Sequence, residues 1–117
     1  MNSGRVATTA GRLARLGFAD ADRSAGSLER LGAGADDLLP LLAATADPDQ
    51  AVWYLAELAA RTDRAELVRA LTCDEGSAVR LLAVLGASAA LAEHLVRHPE
   101  HRHDLADPAL GSTRPAA

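Results

Sequence analysis

The chain has 117 residues, a length that fits one domain with a modest core and excludes two. Its formal net charge is −4, with no lysine, which argues against a nucleic-acid partner because such a surface needs clustered positive charge. Hydrophobic residues make up 49% and aromatic residues only 3%, so the apolar content is mostly Ala and Leu. Because these residues favour helices and isoleucine is absent, the composition predicts an all-α protein.

No segment of the sequence predicts export or a membrane span. Residues 1–18 lack the continuous apolar stretch of a signal peptide. The longest apolar runs, such as residues 81–85, are far shorter than the ~20 residues that cross a bilayer. Cys73 is the only cysteine, which excludes an internal disulfide and suits a reducing compartment. We expect a soluble, cytoplasmic protein with no membrane partner.

Small and polar residues open the chain, and we expect residues 1–8 to be a flexible N-terminus. A first short helix is predicted at residues 12–16, because Gly17 follows as a typical C-terminal cap. A second helix follows, with Asp22 or Ser24 as its N-terminal cap.

The Gly-Ala-Gly sequence at residues 32–34 ends the second helix, and a third begins after it. Asp36 and Asp37 lie in the first turn of the third helix, where carboxylates complement the helix dipole. Pro40 falls early enough in that helix to be tolerated. The glycines are neither preceded by a strand nor followed by a lysine, so we do not interpret them as a phosphate-binding loop.

The clearest helix start is Asp47-Pro48, because Asp47 can accept a hydrogen bond from a free N–H and Pro48 loses none. As an alternative, Asp47 and Asp49 could form a D-x-D pair that binds Mg²⁺, which is usually carried by a strand close to a Gly-Ser element. The nearest Gly-Ser, at residues 26–27, precedes a helix, so we assign helix capping to Asp47. The apolar positions that follow have the period of a helix; they are Val52, Leu55, Ala56 and Ala59.

Three further helices are predicted before residue 99. Asp63 caps the fifth, Asp74 or Ser77 begins the sixth, and Ser88 caps the seventh. Their apolar positions are Leu67, Val68 and Leu71 in the fifth, Val79, Leu82 and Leu85 in the sixth, and Leu91, Leu95 and Val96 in the seventh. No strand alternation is present, so the sequence predicts a compact bundle of six to seven short helices without a sheet. This helical segment spans residues 9–103, and residues 104–117 form a tail.

Four histidines lie close together, at His94, His98, His101 and His103. His94 and His98 are four residues apart, so both could face one zinc or nickel ion. The HExxH order is absent because Glu93 precedes His94, and imidazoles are also favourable at the negative end of a helix dipole. We therefore favour a solvated helix end, and we assign no catalytic, cofactor-binding or metal residue in the chain.

Two adjacent aromatic residues occur on the fourth predicted helix. We expect Trp53 to lie in the core and Tyr54 to be half exposed, with partner binding by the pair as the alternative. The arginines of the first helices alternate with acidic residues, which is typical of a solvated face. They are Arg12, Arg15, Arg23 and Arg30.

The run RLLAVLGASAALAEHLVRHPE at residues 80–100 resembles the N-terminal region of actinobacterial glutamine-synthetase adenylyltransferases, bifunctional enzymes that attach and remove AMP on glutamine synthetase. That region carries an apolar helix, an LG-x-S element and a second helix ending in H-L-x-x-H-P. The matching residues are Leu85, Gly86, Ser88, His94, Leu95, His98 and Pro99. Residues 11–32 and 44–58 resemble the opening and the third segment of the same region, so the similarity covers about residues 10–103.

The physical role of the shared residues is structural. We expect Gly86 to form a left-handed cap, Ser88 to start the next helix and Pro99 to fix its exit. Together they would form a tight corner between two packed helices.

The resemblance implies a helical leader before two nucleotidyltransferase modules that use ATP and Mg²⁺ at a strand-borne D-x-D. This chain carries no such element, so no catalytic residue is transferred to it and we expect it to be inert alone. The implied partners are the downstream nucleotidyltransferase domains, with glutamine synthetase and its regulatory signalling protein as further candidates. The alternative is a free-standing helical protein-interaction module without catalysis, and the acidic balance argues against a helix-turn-helix DNA binder.

Overall fold

The computed structural model describes residues 2–32 and 34–102, and the side chains among them from residue 9 onward. These residues form seven α-helices and two 3-10 turns without a strand. The α-helices are α1 (Asn2–Leu16), α2 (Ala21–Leu31), α3 (Leu39–Ala43), α4 (Pro48–Ala60), α5 (Arg64–Cys73), α6 (Glu75–Ala87) and α7 (Ala89–Arg97). One 3-10 turn, Ala35–Leu38, precedes α3, and the other, Pro99–His101, follows α7. The prediction of a compact all-α bundle without a sheet is confirmed for this part of the chain.

Short polar side chains determine where five of the helices begin. Each accepts a hydrogen bond from the backbone N–H three residues further on, at 3.1–3.3 Å, and so satisfies a donor that the helix leaves free. The capping residues are Asp20 (α2), Asp47 (α4), Asp63 (α5), Asp74 (α6) and Ser88 (α7). The predicted caps of α4, α5, α6 and α7 are therefore confirmed. The predicted cap of α2 was wrong, because Asp20 has this role and Ser24 is buried inside the helix.

Helix α1 begins at Asn2, well before the predicted start at residue 12. The sequence before Ala10 has no apolar periodicity, so the pattern identified only the turn that is anchored by the buried Leu13. Gly17 follows α1 with φ 107°, as expected of a C-terminal glycine. The predicted flexibility of residues 1–8 stays a prediction, and the predicted tail, residues 104–117, lies outside the described residues.

Helix α4 lies at the centre of the bundle and contacts α2, α3, α5, α6 and α7. Its predicted apolar face is buried, together with two further positions beside it. The buried residues of α4 are Ala51, Val52, Leu55, Ala56, Leu58 and Ala59. Leu67, Val68 and Leu71 of α5 are also buried as predicted. Leu and Ala therefore supply most of the core.

Helix α6 presents a different face to the core from the one predicted. Leu82 and Leu85 are buried as expected, but Val79 is 45% exposed and Ala78 occupies the inward position instead. The stretch around Val79 is apolar on several sides, so hydrophobic spacing alone did not define its orientation. On α7, Leu95 and Val96 are buried, whereas Leu91 is 53% exposed.

No single described helix is long and apolar enough to cross a membrane. Helices α6 and α7 taken together reach that length and composition, but they meet at a bend of 118°.

Because of the orientation of α6, we expect shortening the side chains of Leu82 and Val79 to change the free energy of unfolding by different amounts. Leu82→Ala leaves a cavity in the core and is expected to lower the free energy of unfolding by about 2–5 kcal/mol. Val79→Ala shortens an exposed side chain and is expected to change it by less than about 0.5 kcal/mol. Urea unfolding followed by circular dichroism measures both values. Similar losses in the two variants would contradict the described orientation.

Candidate functional site

The residues of the LG-x-S element form the corner between α6 and α7. The N–H of Ser88 donates to the carbonyl of Val84 at 3.0 Å and closes α6. The Ser88 hydroxyl accepts from the N–H of Leu91 at 3.1 Å and opens α7. One residue thus ends one helix and begins the next, which accounts for the 118° bend between them.

Gly86 has a different role from the predicted one. It lies inside α6 in ordinary helical conformation and is buried, so the predicted left-handed cap was wrong. A Cβ at Gly86 would lie 2.8 Å from Cβ of Thr45 and 3.3 Å from the carbonyl oxygen of Asp47. Glycine is therefore needed because the α3–α4 connection approaches the α6 backbone. Gln50 fixes the same contact, since its Nε2 donates to the carbonyl of Leu85 at 2.9 Å.

Three histidines cluster at the other end of α7. Nε2 of His94 and Nδ1 of His101 are 2.8 Å apart and share a hydrogen bond. The ring centroid of His94 is 4.9 Å from those of both His98 and His101, and the latter two are 5.4 Å apart. The fourth member of the predicted cluster, His103, lies outside the described residues. The i, i+4 spacing identified His94 and His98, but the participation of His101 depends on the turn that begins at Pro99.

A carboxylate borders this histidine cluster. Oε2 of Glu100 lies 3.8 Å from Nδ1 of His98 and 3.8 Å from Nε2 of His101. The side chains of His98 and His101 are about half exposed, consistent with the predicted solvated helix end. Among the described residues, no group of three or more His, Cys, Asp or Glu side chains forms a site that could hold a metal ion.

Asp47 and Asp49 both serve the fold. Asp47 caps α4, as predicted. Oδ2 of Asp49 accepts from the N–H groups of Ala19 and Asp20, at 2.7 and 3.1 Å, and Oδ1 accepts from the hydroxyl of Ser24 at 2.5 Å. This carboxylate therefore joins the start of α4 to the connection between α1 and α2. Only the capping role has a local sequence signal, since the partners of Asp49 are far away in the chain.

Trp53 is half-buried at the surface, so the prediction that it lies in the core was wrong. The guanidinium of Arg23 lies 4.4 Å from the centre of the indole and that of Arg30 5.5 Å from it, a cation–π arrangement. Arg30 also pairs with Glu57 at 3.0 Å. The seven-residue spacing on α2, which places Arg23 and Arg30 on one face, was the available signal.

Tyr54 is half-buried, as predicted. Its hydroxyl donates to Oε2 of Glu93 on α7 at 3.1 Å. Partial burial and then this hydrogen bond and the negative charge of Glu93 raise the pKa of Tyr54 above its ordinary 10.0, while the positive charge of Arg23 acts in the opposite direction. Tyr54 therefore links α4 to α7 in its protonated form.

The other polar features that the sequence singled out lie elsewhere on the surface. Gly32 and Gly34 border a groove of about 350 Å³ together with Arg64 of α5. Nη1 of Arg64 donates to the carbonyl of Arg30 at 3.4 Å, which ties α5 to the end of α2. Cys73 is exposed at the end of α5.

Comparison with known proteins gave no match to any family model, curated protein or solved structure.

We expect replacement of glycine by alanine to have opposite effects on stability at Gly86 and at Gly26, because only Gly86 has close neighbours. Gly86→Ala forces Thr45 and α6 apart and is expected to lower the free energy of unfolding by about 1–3 kcal/mol. Gly26→Ala on α2 is the matched control, because a Cβ there meets nothing within 4 Å. It is expected to raise the free energy of unfolding by about 0.4–1 kcal/mol. Chemical denaturation measures both, and a stabilising Gly86→Ala would contradict the close approach.

Tyr54 is the only tyrosine, so its ionisation can be followed by ultraviolet absorbance without interference from another phenol. Glu93→Gln removes a negative charge and is expected to lower the pKa of Tyr54, whereas Arg23→Gln is expected to raise it. Because the pKa is higher in the folded state, this group stabilises the fold below pH 10.0, and its contribution is lost as the pH rises through the folded-state pKa. A change of the Tyr54 pKa in the same direction in both variants would contradict the opposite effects that are assigned to Glu93 and Arg23.

Proposed function

We propose that this chain is the helical N-terminal part of a bifunctional glutamine-synthetase adenylyltransferase, which controls nitrogen assimilation in the cytoplasm. In this proposal the transfer and removal of AMP, with ATP and Mg²⁺, take place in downstream nucleotidyltransferase domains. The bundle contributes a folded surface to those domains and has no catalytic activity of its own.

The observation that carries the proposal is the packing of the three resembling segments against each other. Residues 11–32 contain the end of α1 and all of α2, residues 44–58 contain most of α4, and residues 80–100 contain the corner and α7. Helix α4 contacts α2, α6 and α7. The parts that carry the resemblance therefore belong to one folded unit, as expected of a shared domain.

The first turn of α4 makes the specific contacts between these segments. Asp49 binds two backbone N–H groups of the α1–α2 connection. Gln50, the next residue, donates to a carbonyl of α6. Both residues lie in the stretch TADPDQAV, which is part of the resembling segment at residues 44–58. The residues that carry the resemblance therefore include the two that make hydrogen bonds between the segments.

The polar residues that could suggest chemistry are used for folding, which supports a scaffolding role. Asp47, Asp63 and Asp74 cap helices through their carboxylates, and Ser88 does so through its hydroxyl. Their hydrogen bonds give the helices fixed ends and therefore a defined surface.

A free-standing helical interaction module is the second candidate. It is favoured by Leu91, which is 53% exposed on α7, and by the half-buried Trp53 and Tyr54 on α4. Exposed leucine and aromatic side chains are typical anchors of protein interfaces. In this case the chain would act alone by binding another protein.

The two candidates differ in the size and activity of the native product. An antibody against residues 9–102 would be used to capture that product from the source cells, and its intact mass would be measured. The captured material would then be incubated with labelled ATP and purified glutamine synthetase. We expect a polypeptide much larger than 12.1 kDa that transfers labelled AMP to glutamine synthetase.

The capture is controlled by saturating the antibody with the purified chain, which should abolish both signals. A native product of 12.1 kDa without AMP transfer would overturn the proposal and favour the interaction module. A large product that transfers no AMP would also overturn it, because the chain would then belong to a different enzyme or scaffold.

A further inference from the structure

The three-histidine cluster at the end of α7 has no role in the function proposed above. His94 lies in the last turn of α7, His98 follows as its C-terminal cap and His101 ends the 3-10 turn. Pro99 begins that turn and reverses the chain, so that His101 lies opposite His94. Their side chains contact one another, with rings 4.9–5.4 Å apart.

The spacing of these rings matches the spacing of imidazoles around a transition metal. With a metal–nitrogen bond of about 2.0–2.1 Å and tetrahedral angles, the centroids of two imidazole ligands lie about 5 Å apart. The three observed centroid distances of 4.9, 4.9 and 5.4 Å bracket that value. Contacting rings in proteins often have such separations, so the distances show only that the three imidazoles are close enough to reach a shared ion once their donor nitrogens turn towards it.

Two of the three donor atoms already face each other. Nε2 of His94 and Nδ1 of His101, 2.8 Å apart, share one proton. When a metal ion takes the place of this proton, the proton moves to the other ring nitrogen of the histidine that donated it, and both rings stay neutral. The two ligating nitrogens then lie about 3.3 Å apart, which follows from the same bond length and angle. The required movement is about 0.5 Å, and the side chain of His101 is 44% exposed.

The third donor is His98. Its Nδ1 faces Glu100 at 3.8 Å, which leaves Nε2 as the atom for a metal ion. In the described conformation these side chains do not form a group that could hold a metal ion, so the proposal requires the ring of His98 to rotate until its Nε2 points at the ion. The side chain of His98 is 49% exposed, so little packing opposes that rotation.

Glu100 supplies the carboxylate that often supports histidine ligands. Its Oε2 faces Nδ1 of His98 and Nε2 of His101, the two ring nitrogens that the metal would not use. At 3.8 Å these contacts are too long for hydrogen bonds, so the carboxylate must move closer to act on the rings. A carboxylate that is hydrogen-bonded to a ligating histidine fixes its tautomer and makes the opposite nitrogen a stronger donor. The guanidinium of Arg102, which follows the turn, lies 3.8 Å from the carboxylate of Glu66 on α5.

We propose that His94, His98 and His101 bind one divalent transition-metal ion of the borderline class, such as Zn²⁺ or Ni²⁺. Three neutral imidazoles favour these ions over Mg²⁺ and Ca²⁺, which prefer oxygen ligands. Water completes the coordination of the ion. The site lies wholly within residues 94–101, so it exists whether or not the chain belongs to an adenylyltransferase.

The test is calorimetric titration of the full, untagged chain with Zn²⁺ and with Ni²⁺ at neutral pH. We expect one ion per chain and no binding of Mg²⁺ under the same conditions. Loss of a supporting carboxylate typically weakens metal binding by about 10–100-fold, so Glu100→Gln is expected to fall in that range. His98→Gln and His101→Gln remove ligands and are expected to weaken binding by about 100-fold or more.

Cys73→Ser is the matched control, because Cys73 is an exposed potential ligand on a different helix. It should leave the affinity unchanged. Circular dichroism checks that each variant is folded. In the unaltered chain, Zn²⁺ should shift the imidazole NMR signals of His94, His98 and His101 together. Binding that survives both histidine variants, that depends on Cys73, or that is absent altogether would overturn the proposal.

Discussion

The first turn of α4 holds the bundle together, because it connects two helix corners that are far apart in the chain. Asp49 accepts hydrogen bonds from two N–H groups in the α1–α2 connection. Gln50 donates to the carbonyl of Leu85 at the α6–α7 corner, and the carbonyl of Asp47 lies against Gly86. Hydrogen bonds to a charged acceptor are shorter than those between neutral groups, and the Ala19–Asp49 contact of 2.7 Å is one of them.

The small side chains of the sequence make this arrangement possible. The α6 backbone comes close to the connection before α4 because Gly86 has no side chain. The buried face of α4 includes the alanines Ala51, Ala56 and Ala59, whose small side chains let neighbouring helices approach. A core built from Ala and Leu has few large side chains to define orientation. Hydrogen-bonded caps and corner contacts therefore carry more of the specificity than they would in an aromatic-rich core.

Local signals in the sequence predicted local structure well. Asp47-Pro48, Asp63 and Ser88 marked helix starts because a cap depends only on residues within one turn. The orientation of Val79, the contacts of Trp53 and the partners of Asp49 depend on helices distant in the chain, and local patterns do not contain that information. Gly86 illustrates both cases. Its position near a helix corner was predicted from local sequence, but the distant neighbour that requires a glycine was not.

The residues of the resembling stretch fall into two physical groups. Ser88 and Pro99 fix where α7 begins and ends, and Gly86 fixes how α6 packs, so folding accounts for each of them. Folding does not account for His94 and His98 in the same way. Their rings contact other rings and a carboxylate at the surface, and they contribute little to the core. The scaffold residues of α7 thus present a group of ring side chains at the surface whose arrangement core packing does not explain.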